Sequence, residues 1–430
     1  MTTDFRRTRA LIPGGAHTYS KGDDQFPSNA PRYLERGDKG RVWDDENREF
    51  IDWAMGLRSA SLGYNIDAVN RAAIEQIAKG SNFARPSRIE TDYAEELAGV
   101  IPCAEMVKFA KNGSTCTTAA VKLARAFTGR DYVAFCKDHP FFSYDDWFIG
   151  TTACSSGVPK AFSDLSLPFR YNDIASLEAE FESHPGQIAC VILEATTGEA
   201  PRDGFLRKVQ DLCRRHGALF ILDEMITGFR YHLNGAQRYF DVEPDMATFG
   251  KGMGNGFAVA LLAGRRDVLE LGGIDHGRER VFLISTTHGA ENHALAAGRA
   301  VLKFYRENPV IETLWTNGRM LAEGLAAEAR AAGLEDRFRV GGYHCQPTYA
   351  CLDESGAPSL AYRTLFLQEM IRHGVIIPYI SPAYAHTERD IEQTLSAARK
   401  SFAVYRQALD DGIDRFLEGP PIKPVFRKYN

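Results

Sequence analysis

The sequence has no long apolar run and no concentration of charge of one sign. No window of its 430 residues approaches the ~20 apolar residues that a membrane helix needs. The formal net charge is −5, so neither nucleic acid nor an anionic membrane is an expected partner. Residues 1–10 carry three arginines but no apolar stretch follows them, so no secretory leader is predicted. Internal repeats and low-complexity segments are also lacking.

Cysteine is present without the spacing of a metal site or a disulfide framework. The eight cysteines are scattered, with no CxxC pair and no neighbouring histidine cluster. Cys190 and Cys213 lie in apolar runs, which is typical of buried free thiols. The pattern predicts a reduced protein in the cytoplasm, without a metal site.

Apolar strand patterns alternate with amphipathic helix patterns through the middle of the chain. A hydrophobic content of 44% and a charged content of 25% are those of a globular protein. Strands that are apolar on both faces favour a parallel sheet covered by helices on both sides. The central region is therefore predicted to be a doubly wound α/β domain. Its predicted strands are 105–110, 132–136, 189–193, 218–222 and 257–264, and its predicted helices include 115–127 and 206–216.

The two flanks of this region have a different pattern. Residues 30–55 contain two short strand patterns joined by Gly and Asp/Asn turns, which predicts an antiparallel meander. A long helix is predicted over 294–307, followed by mixed helices and strands. We expect residues 71–300 to form the large domain, and residues 1–70 and 301–430 to form one smaller α+β domain or two adjoining lobes.

Two residues near predicted strand ends have the chemistry of a pyridoxal 5′-phosphate (PLP) site. Asp223 ends the apolar run ALFIL, at the sheet edge where ligands bind in open α/β folds. Lys251 lies between glycines 28 residues later. PLP needs a lysine for its Schiff base and a carboxylate for its ring nitrogen. Alone, Asp223 would more often be a surface acid and Lys251 a loop lysine. Their occurrence in this order and at this spacing favours the cofactor site.

Hydroxyl and backbone donors precede two predicted helices. The segment 112–115, Asn-Gly-Ser-Thr, joins a strand to a helix start, where N–H groups can bind an anion. Thr286 and Thr287 form a second hydroxyl pair before a helix. Either segment alone could be an ordinary helix cap.

The motifs LDEMITGFR and PDMATFGKGMGNGF together resemble those of the class III (fold type I) PLP-dependent aminotransferases. The likeness is closer to the branch of glutamate-1-semialdehyde 2,1-aminomutase. It extends over nearly the whole chain through the segments IPGGAHTYSKG, RVWDDENREFIDW, GST, TGRD and STTHGAENHALAAG.

The resemblance implies a role for each matching residue. It implies that Lys251 forms the Schiff base and is the catalytic acid/base, and that Asp223 binds the pyridine nitrogen. It also implies that Glu194 lies near cofactor and substrate, although a salt-bridged acid at a strand end is as compatible. The family further implies a homodimer with shared active sites. The phosphate would be bound by Gly113, Ser114 and Thr115, and by Thr287, with Thr286, from the neighbouring subunit.

The sequence differs from the family pattern at the segments that would contact the substrate and the PLP ring. Family members often stack an aromatic residue of a Tyr-His-Gly stretch on the PLP ring, and here the segment is DHPFFSYDDW. Phe141 would take the stacking place, with Phe142 or His139 as alternatives. Where the aminomutase grips its substrate, this chain has HTYSK and MGLRSASLGY. These segments make His17, Lys21 and Arg58 the candidate substrate-binding residues, with an ordinary ion-paired arginine as the alternative for Arg58.

The leading functional prediction is an aminotransferase. An amino donor would convert PLP to pyridoxamine phosphate, which then aminates a small ketone or aldehyde. By family analogy this acceptor could be sugar-derived or belong to a specialised-metabolite pathway. The second hypothesis is an intramolecular aminomutase with 144–164 as a closing loop, where an ordinary surface connection is equally compatible. A non-catalytic PLP-binding regulator is a third, although residues 1–30 are too few for an added DNA-binding domain.

Overall fold

The computed structural model describes residues 3–429, which divide into two compact units. The large unit contains residues 58–60 and 67–311, and the terminal unit contains residues 3–57, 61–66 and 312–429. The sequence predicted the main divisions after residues 70 and 300.

The strands of the described chain are numbered in chain order. They are β1 (Leu34–Asp38), β2 (Arg41–Asp44), β3 (Glu49–Asp52), β4 (Met106–Ala110), β5 (Tyr132–Cys136), β6 (Ser166–Phe169), β7 (Ile188–Glu194), β8 (Leu219–Asp223), β9 (Met246–Phe249), β10 (Ala260–Gly264), β11 (Phe338–Tyr343), β12 (Gln346–Cys351) and β13 (Val375–Ile376).

The α-helices of the same residues are numbered likewise. They are α1 (Thr3–Leu11), α2 (Met55–Arg58), α3 (Asp67–Ile77), α4 (Arg88–Ala98), α5 (Gly113–Thr128), α6 (Asp146–Ile149), α7 (Lys160–Ser163), α8 (Ile174–Ser183), α9 (Phe205–His216), α10 (Gly235–Tyr239), α11 (Arg266–Leu269), α12 (Asn292–Glu307), α13 (Val310–Ala331), α14 (Leu360–Arg372) and α15 (Glu388–Asp411). Short 3-10 turns include Tyr19–Lys21 and Lys251–Met253.

The large unit is built on a seven-stranded sheet in the order β4-β10-β9-β8-β7-β5-β6. Strand β10 is antiparallel to both of its neighbours, and the other pairs are parallel. Every residue of β7, β8 and β9 is buried, which requires cover on both faces and explains their continuous apolar sequences. The α/β class and the mostly parallel sheet predicted from the sequence are confirmed.

Two strands of this sheet were missed by the sequence patterns. Strands β6 and β9 have only four residues each, so their runs are too short to separate from loops. Strand β9 leads to the candidate lysine, because Lys251 follows its end by two residues.

The terminal unit contains a four-stranded sheet, β1-β2-β3-β13, and the hairpin β11-β12. The sequence predicted two strands before residue 55, and this was wrong because β1, β2 and β3 are three. The chain turns after β2 at Asp44, whose side chain accepts hydrogen bonds from the backbone N–H groups of Glu46 and Arg48 at 3.1 and 2.7 Å. These bonds stabilise a tight turn between β2 and β3.

The segment 144–164 contains the short helices α6 and α7, which have four residues each, and the rest of it is turns and irregular chain. Trp147 and Phe148 of α6 are buried, and the indole N–H of Trp147 donates to Thr118 at 2.9 Å. Within residues 3–429, no helix combines the length and apolar character required to cross a bilayer. The eight cysteines are free thiols, and six of them are buried.

Candidate active site

Three neighbouring strands of the large unit end side by side with polar residues. In the register of the sheet Glu194 of β7 pairs with Asp223 of β8, and Asp223 pairs with Thr248 of β9. All three side chains are buried. The carboxyl edge of a parallel sheet is where open α/β folds bind their ligands, so this edge is the candidate site.

Asp223 is held in a fixed orientation at the end of β8. Its Oδ1 accepts hydrogen bonds from the N–H of Met225 and the hydroxyl of Thr248, each at 2.9 Å. Burial raises the pKa of Asp223, although these hydrogen bonds and the charge of Lys251 oppose the shift. The carboxyl is therefore held in position, and its burial outweighs these interactions and favours the protonated form.

Glu194 lies beside Asp223 with an unsatisfied oxygen. Its side chain is 3% exposed, and Oε2 is buried without a hydrogen-bond partner. Burial raises the pKa of Glu194 to about 8, and the nearby charge of Asp223 adds to that shift. Because unpaired buried polar atoms are rare, Oε2 is available for a ligand.

Lys251 begins a 3-10 turn just after β9 and has a positive φ of 45°. Burial lowers the pKa of Lys251, and the positive charges of Arg58 and Arg230 lower it further. Asp223 and Glu194 act in the opposite direction. The lysine thus tends toward the neutral amine, which is the nucleophilic form.

The start of α5 contains the residues of the predicted anion site. Asn112 caps the helix, and its Oδ1 accepts from the N–H of Thr115 at 2.9 Å. The Ser114 side chain is buried, and its hydroxyl accepts from the N–H of Tyr144 at 3.2 Å. A Cβ added to Gly113 would approach the sulfur of Met225 to 2.7 Å, so glycine allows close packing here.

The three candidates for ring stacking differ in exposure. Phe141 is 44% exposed, whereas Phe142 is 2% and His139 is 3% exposed. The ring of Phe148 contacts Phe141 edge-on at 5.8 Å between centroids. A ring that stacks on a ligand needs an accessible face, so Phe141 meets this condition best of the three.

Arg58 follows three residues that share an unusual backbone. The φ angles of Met55, Gly56, Leu57 and Arg58 run from 46° to 65°, which makes α2 a left-handed turn. Left-handed backbone costs roughly 1–2 kcal/mol for each non-glycine residue, and such strain is concentrated at functional sites. The backbone oxygen of Arg58 accepts from the buried guanidinium of Arg230 at 3.4 Å.

Four other predicted residues are exposed. Thr286 and Thr287 lie on the loop before α12, and the carbonyl of Thr287 accepts from the Asn82 amide at 2.9 Å. His17 and Lys21 lie in the terminal unit, where Lys21 ends the 3-10 turn Tyr19–Lys21.

The sequence interpretation missed two residues of this region. Arg230 is the last residue of the motif LDEMITGFR, and a buried arginine at a motif end could have been suspected from its position. Thr248 carries no signal in a single sequence, because its role depends on the pairing of β8 with β9.

The model of the class III aminotransferase family matches residues 23–377. The chain belongs to the class III aminotransferase family. A glutamate-1-semialdehyde 2,1-aminomutase of Desulforamulus reducens is 31% identical over 423 residues, covering 93% of this chain and 96% of the relative.

Solved structures share the same fold. The FumI protein of Sphingopyxis sp. MTA144, determined in a PLP form, has a TM-score of 0.86 and 26% identity, with 95% of this chain and 96% of that chain covered. An omega-transaminase of Sphaerobacter thermophilus has a TM-score of 0.83 at 24% identity, with 94% and 97% covered. The fold is that of the fold type I PLP-dependent transferases, the chain is an enzyme of that class, and PLP is its cofactor.

Proposed function

We propose that this enzyme is an aminotransferase that moves an amino group from an amino donor to a small keto or aldehyde acceptor. The observation that carries the proposal is the grouping of Lys251, Asp223 and Glu194 at one sheet edge, with burial shifting the pKa of each toward its neutral form. Shifts of this kind in coupled groups are typical of catalytic sites.

The residues at this edge fit PLP. Asp223 is oriented through Oδ1, so its second oxygen would meet the pyridine nitrogen in a charge-assisted bond. The start of α5, with Gly113, Ser114 and Thr115, would bind the phosphate through backbone N–H groups and hydroxyls. The exposed face of Phe141 would cover the ring.

Lys251 would both hold the cofactor and move the substrate proton. Bound PLP supplies an electron sink for the bond that breaks at the substrate Cα. Once the amino donor had displaced it, the neutral Lys251 amine would take the proton from the substrate Cα and deliver it to C4′ of the cofactor. A lowered pKa keeps this amine unprotonated before the first transfer and makes the ammonium it becomes a better acid for the second.

Arg58 is the proposed group for a substrate carboxylate. Its positive charge acts on both Glu194 and Lys251, so it lies within electrostatic range of the reacting atoms. A guanidinium can bind a carboxylate through two parallel hydrogen bonds. His17 and Lys21 stay proposals for substrate contacts, and so does a sugar-derived acceptor.

A single-turnover experiment tests the proposed reaction. Each amino donor is added alone to the PLP-loaded enzyme, and the absorption spectrum is followed. An aminotransferase should accumulate the aminated cofactor to one equivalent per site and then stop, and a keto acid or keto sugar should restore the first spectrum. Continued turnover of a single substrate, without accumulation, would contradict the proposal. Lys251→Ala should give neither response.

The intramolecular aminomutase is the second candidate. It is favoured by the 31% identity to an aminomutase over 93% of the chain. Such a reaction must retain its intermediate until the second step, and the ordered helices α6 and α7 within 144–164 are compatible with a cover of that kind. The same experiment separates the two.

We further propose a homodimer in the cytoplasm in which Thr287, with Thr286, reaches the phosphate of the neighbouring active site. Exposed apolar side chains in the large unit support this proposal, because a second subunit would cover them. Ile74 and Ile77 lie on one face of α3, and Ile274 and Phe282 lie in the segment that leads to Thr286.

A further inference from the structure

A buried histidine lies at the same sheet edge as Glu194. His139 follows β5 by three residues and is 3% exposed. Its ring packs against Phe142 and Tyr171, with centroid distances of 6.0 and 5.1 Å. Both faces of such a ring are poorly accessible, so His139 is unsuited to stacking on a cofactor.

The hydrogen bond of His139 determines where its proton lies. The backbone N–H of Glu194 donates to Nδ1 of His139 at 3.0 Å. Nδ1 must therefore carry the lone pair, and the single proton of the neutral ring is on Nε2. Burial lowers the pKa of His139 to about 4, so this tautomer is the form present at neutral pH.

The Nε2–H group is buried and has no hydrogen-bond partner. An unsatisfied donor in the interior destabilises the folded protein, and native structures retain few of them. Glu194, whose backbone orients the ring, has its own unpartnered oxygen at the same edge. Unsatisfied polar atoms at the carboxyl edge of a parallel sheet point to a ligand with polar atoms there.

We propose that the Nε2–H of His139 donates a hydrogen bond to the ring hydroxyl oxygen of bound PLP. This inference rests on the proposed function, because it requires PLP to bind at the edge formed by Asp223 and Glu194. Glu194 is the register neighbour of Asp223, about one strand spacing of 4.8 Å away. His139 follows β5, which flanks β7 on the side opposite β8, so His139 and Asp223 lie about two strand spacings, roughly 10 Å, apart. A substituted pyridine ring with one hydrogen bond at its nitrogen and one at its hydroxyl oxygen would span that distance.

The chemistry of the ring oxygen requires a donor at this place. This oxygen would be anionic in the reactive cofactor, and Asp223, ionised beside a protonated pyridine nitrogen, would repel it. A neutral imidazole N–H stabilises such an anion without adding a positive charge beside Lys251, whose pKa would otherwise fall further. His139 is thus a cofactor-positioning residue, and Lys251 is the group that exchanges protons.

The test compares two cofactors on two proteins. Dissociation constants are measured by equilibrium dialysis for pyridoxal 5′-phosphate and for its 3-deoxy analogue, which lacks the ring hydroxyl. His139→Asn keeps an acceptor for the Glu194 N–H and removes the Nε2 donor. We expect it to weaken pyridoxal 5′-phosphate binding by about tenfold to a hundredfold, and to change binding of the analogue by less than about twofold.

The visible absorption band gives a second readout that does not depend on activity. Loss of the donor should favour the neutral hydroxyl over the anion and move the band of the bound cofactor to shorter wavelength. His139→Gln, whose amide N–H can replace Nε2–H, should recover much of the wild-type preference for pyridoxal 5′-phosphate over the 3-deoxy analogue. His139→Phe provides a second donor-free variant if the Asn variant does not fold.

Tyr171→Phe is the matched control, because it keeps the ring contact with His139 and removes only the hydroxyl that donates to the carbonyl of Ala195 at 2.6 Å. It should preserve the wild-type preference between the two cofactors. Equal weakening for both cofactors in His139→Asn, or no weakening, would overturn the role of His139. Failure of the wild-type protein to bind pyridoxal 5′-phosphate would instead remove the proposed function itself.

Discussion

At the scale of single residues, burial has shifted three titratable groups away from their charged forms. Burial raises the pKa of Asp223 and of Glu194, and it lowers the pKa of Lys251. A protonated pyridine nitrogen beside Asp223 would reverse the first shift, because an adjacent cation favours the carboxylate. A positively charged group of a ligand beside Asp223 would therefore be bound favourably, because it would offset part of the free-energy cost of burying the ionised carboxylate.

The pKa of Glu194 predicts how stability depends on pH. In the unfolded chain this carboxyl loses its proton near pH 4.5, whereas the folded protein holds it until about pH 8. The free energy of unfolding should fall between these two values and be flat above them. Glu194→Gln should remove that fall and make the cofactor-free protein more stable at pH 8, by on the order of 3 kcal/mol. Urea unfolding of both proteins at pH 5 and pH 8 measures this difference in the free energy of unfolding.

Glu199→Gln, in the exposed segment after β7, is the control for this prediction. Its pH profile should match that of the wild type. A Glu194→Gln profile parallel to that of the wild type would show that the carboxyl is not protonated in the folded state.

The proposed role of Arg58 predicts a selective loss of substrate affinity. Arg58→Ala should raise KM by about tenfold to a hundredfold for substrates that carry a carboxylate, because a charge-assisted pair is lost. Uncharged amines should be affected little. Steady-state kinetics with paired charged and uncharged donors tests this, with Arg207→Ala, an exposed arginine of α9, as the control. A uniform change for both donor classes would argue against a carboxylate contact.

At the scale of elements, the start of α5 combines a structural cap with the proposed phosphate site. Asn112 satisfies the N–H of Thr115, while Gly113 and Ser114 begin the helix. The positive end of the helix dipole favours an anion at this position. We therefore expect stability and cofactor binding to depend on the same few residues, and a change of charge at the cap should separate the two effects.

Two substitutions at Asn112 separate these effects. Asn112→Ala should destabilise the cofactor-free protein by about 1 kcal/mol, since the cap is lost. Asn112→Asp keeps the cap but adds a negative charge, so we expect unchanged stability and roughly tenfold weaker PLP binding. Thermal unfolding and equilibrium dialysis measure the two quantities. Equal PLP affinity in Asn112→Asp and wild type would place the phosphate elsewhere.

Long apolar strands were predictable, and short strands and turns were not. Strands β7 and β8 have continuous apolar sequences and end in Glu194 and Asp223, so their place at one sheet edge follows from parallel order. The bond between His139 and the Glu194 backbone depends on the path of the chain after β5, which no local pattern encodes. The left-handed turn that ends at Arg58 could not be predicted either, because Gly56 is the one residue in it whose type favours a positive φ.

At the scale of the whole molecule, the proposed homodimer should depend on the exposed apolar face of α3. Ile77→Glu should convert the dimer to a monomer, because a charge would be buried at the contact. Multi-angle light scattering measures the mass. Leu360→Glu, at an exposed apolar residue of α14, is the control and should leave the mass unchanged. A monomeric wild type would contradict the shared phosphate site.

The central claim is that Lys251 holds the cofactor, and chemical trapping tests it most directly. The PLP-loaded enzyme is treated with borohydride, which reduces the C=N bond to a stable amine, and is then digested with trypsin. A modified Lys251 blocks cleavage, so mass spectrometry should find the cofactor on peptide 239–265. Cofactor on another lysine, or equal labelling of Lys251→Ala, would contradict the assignment.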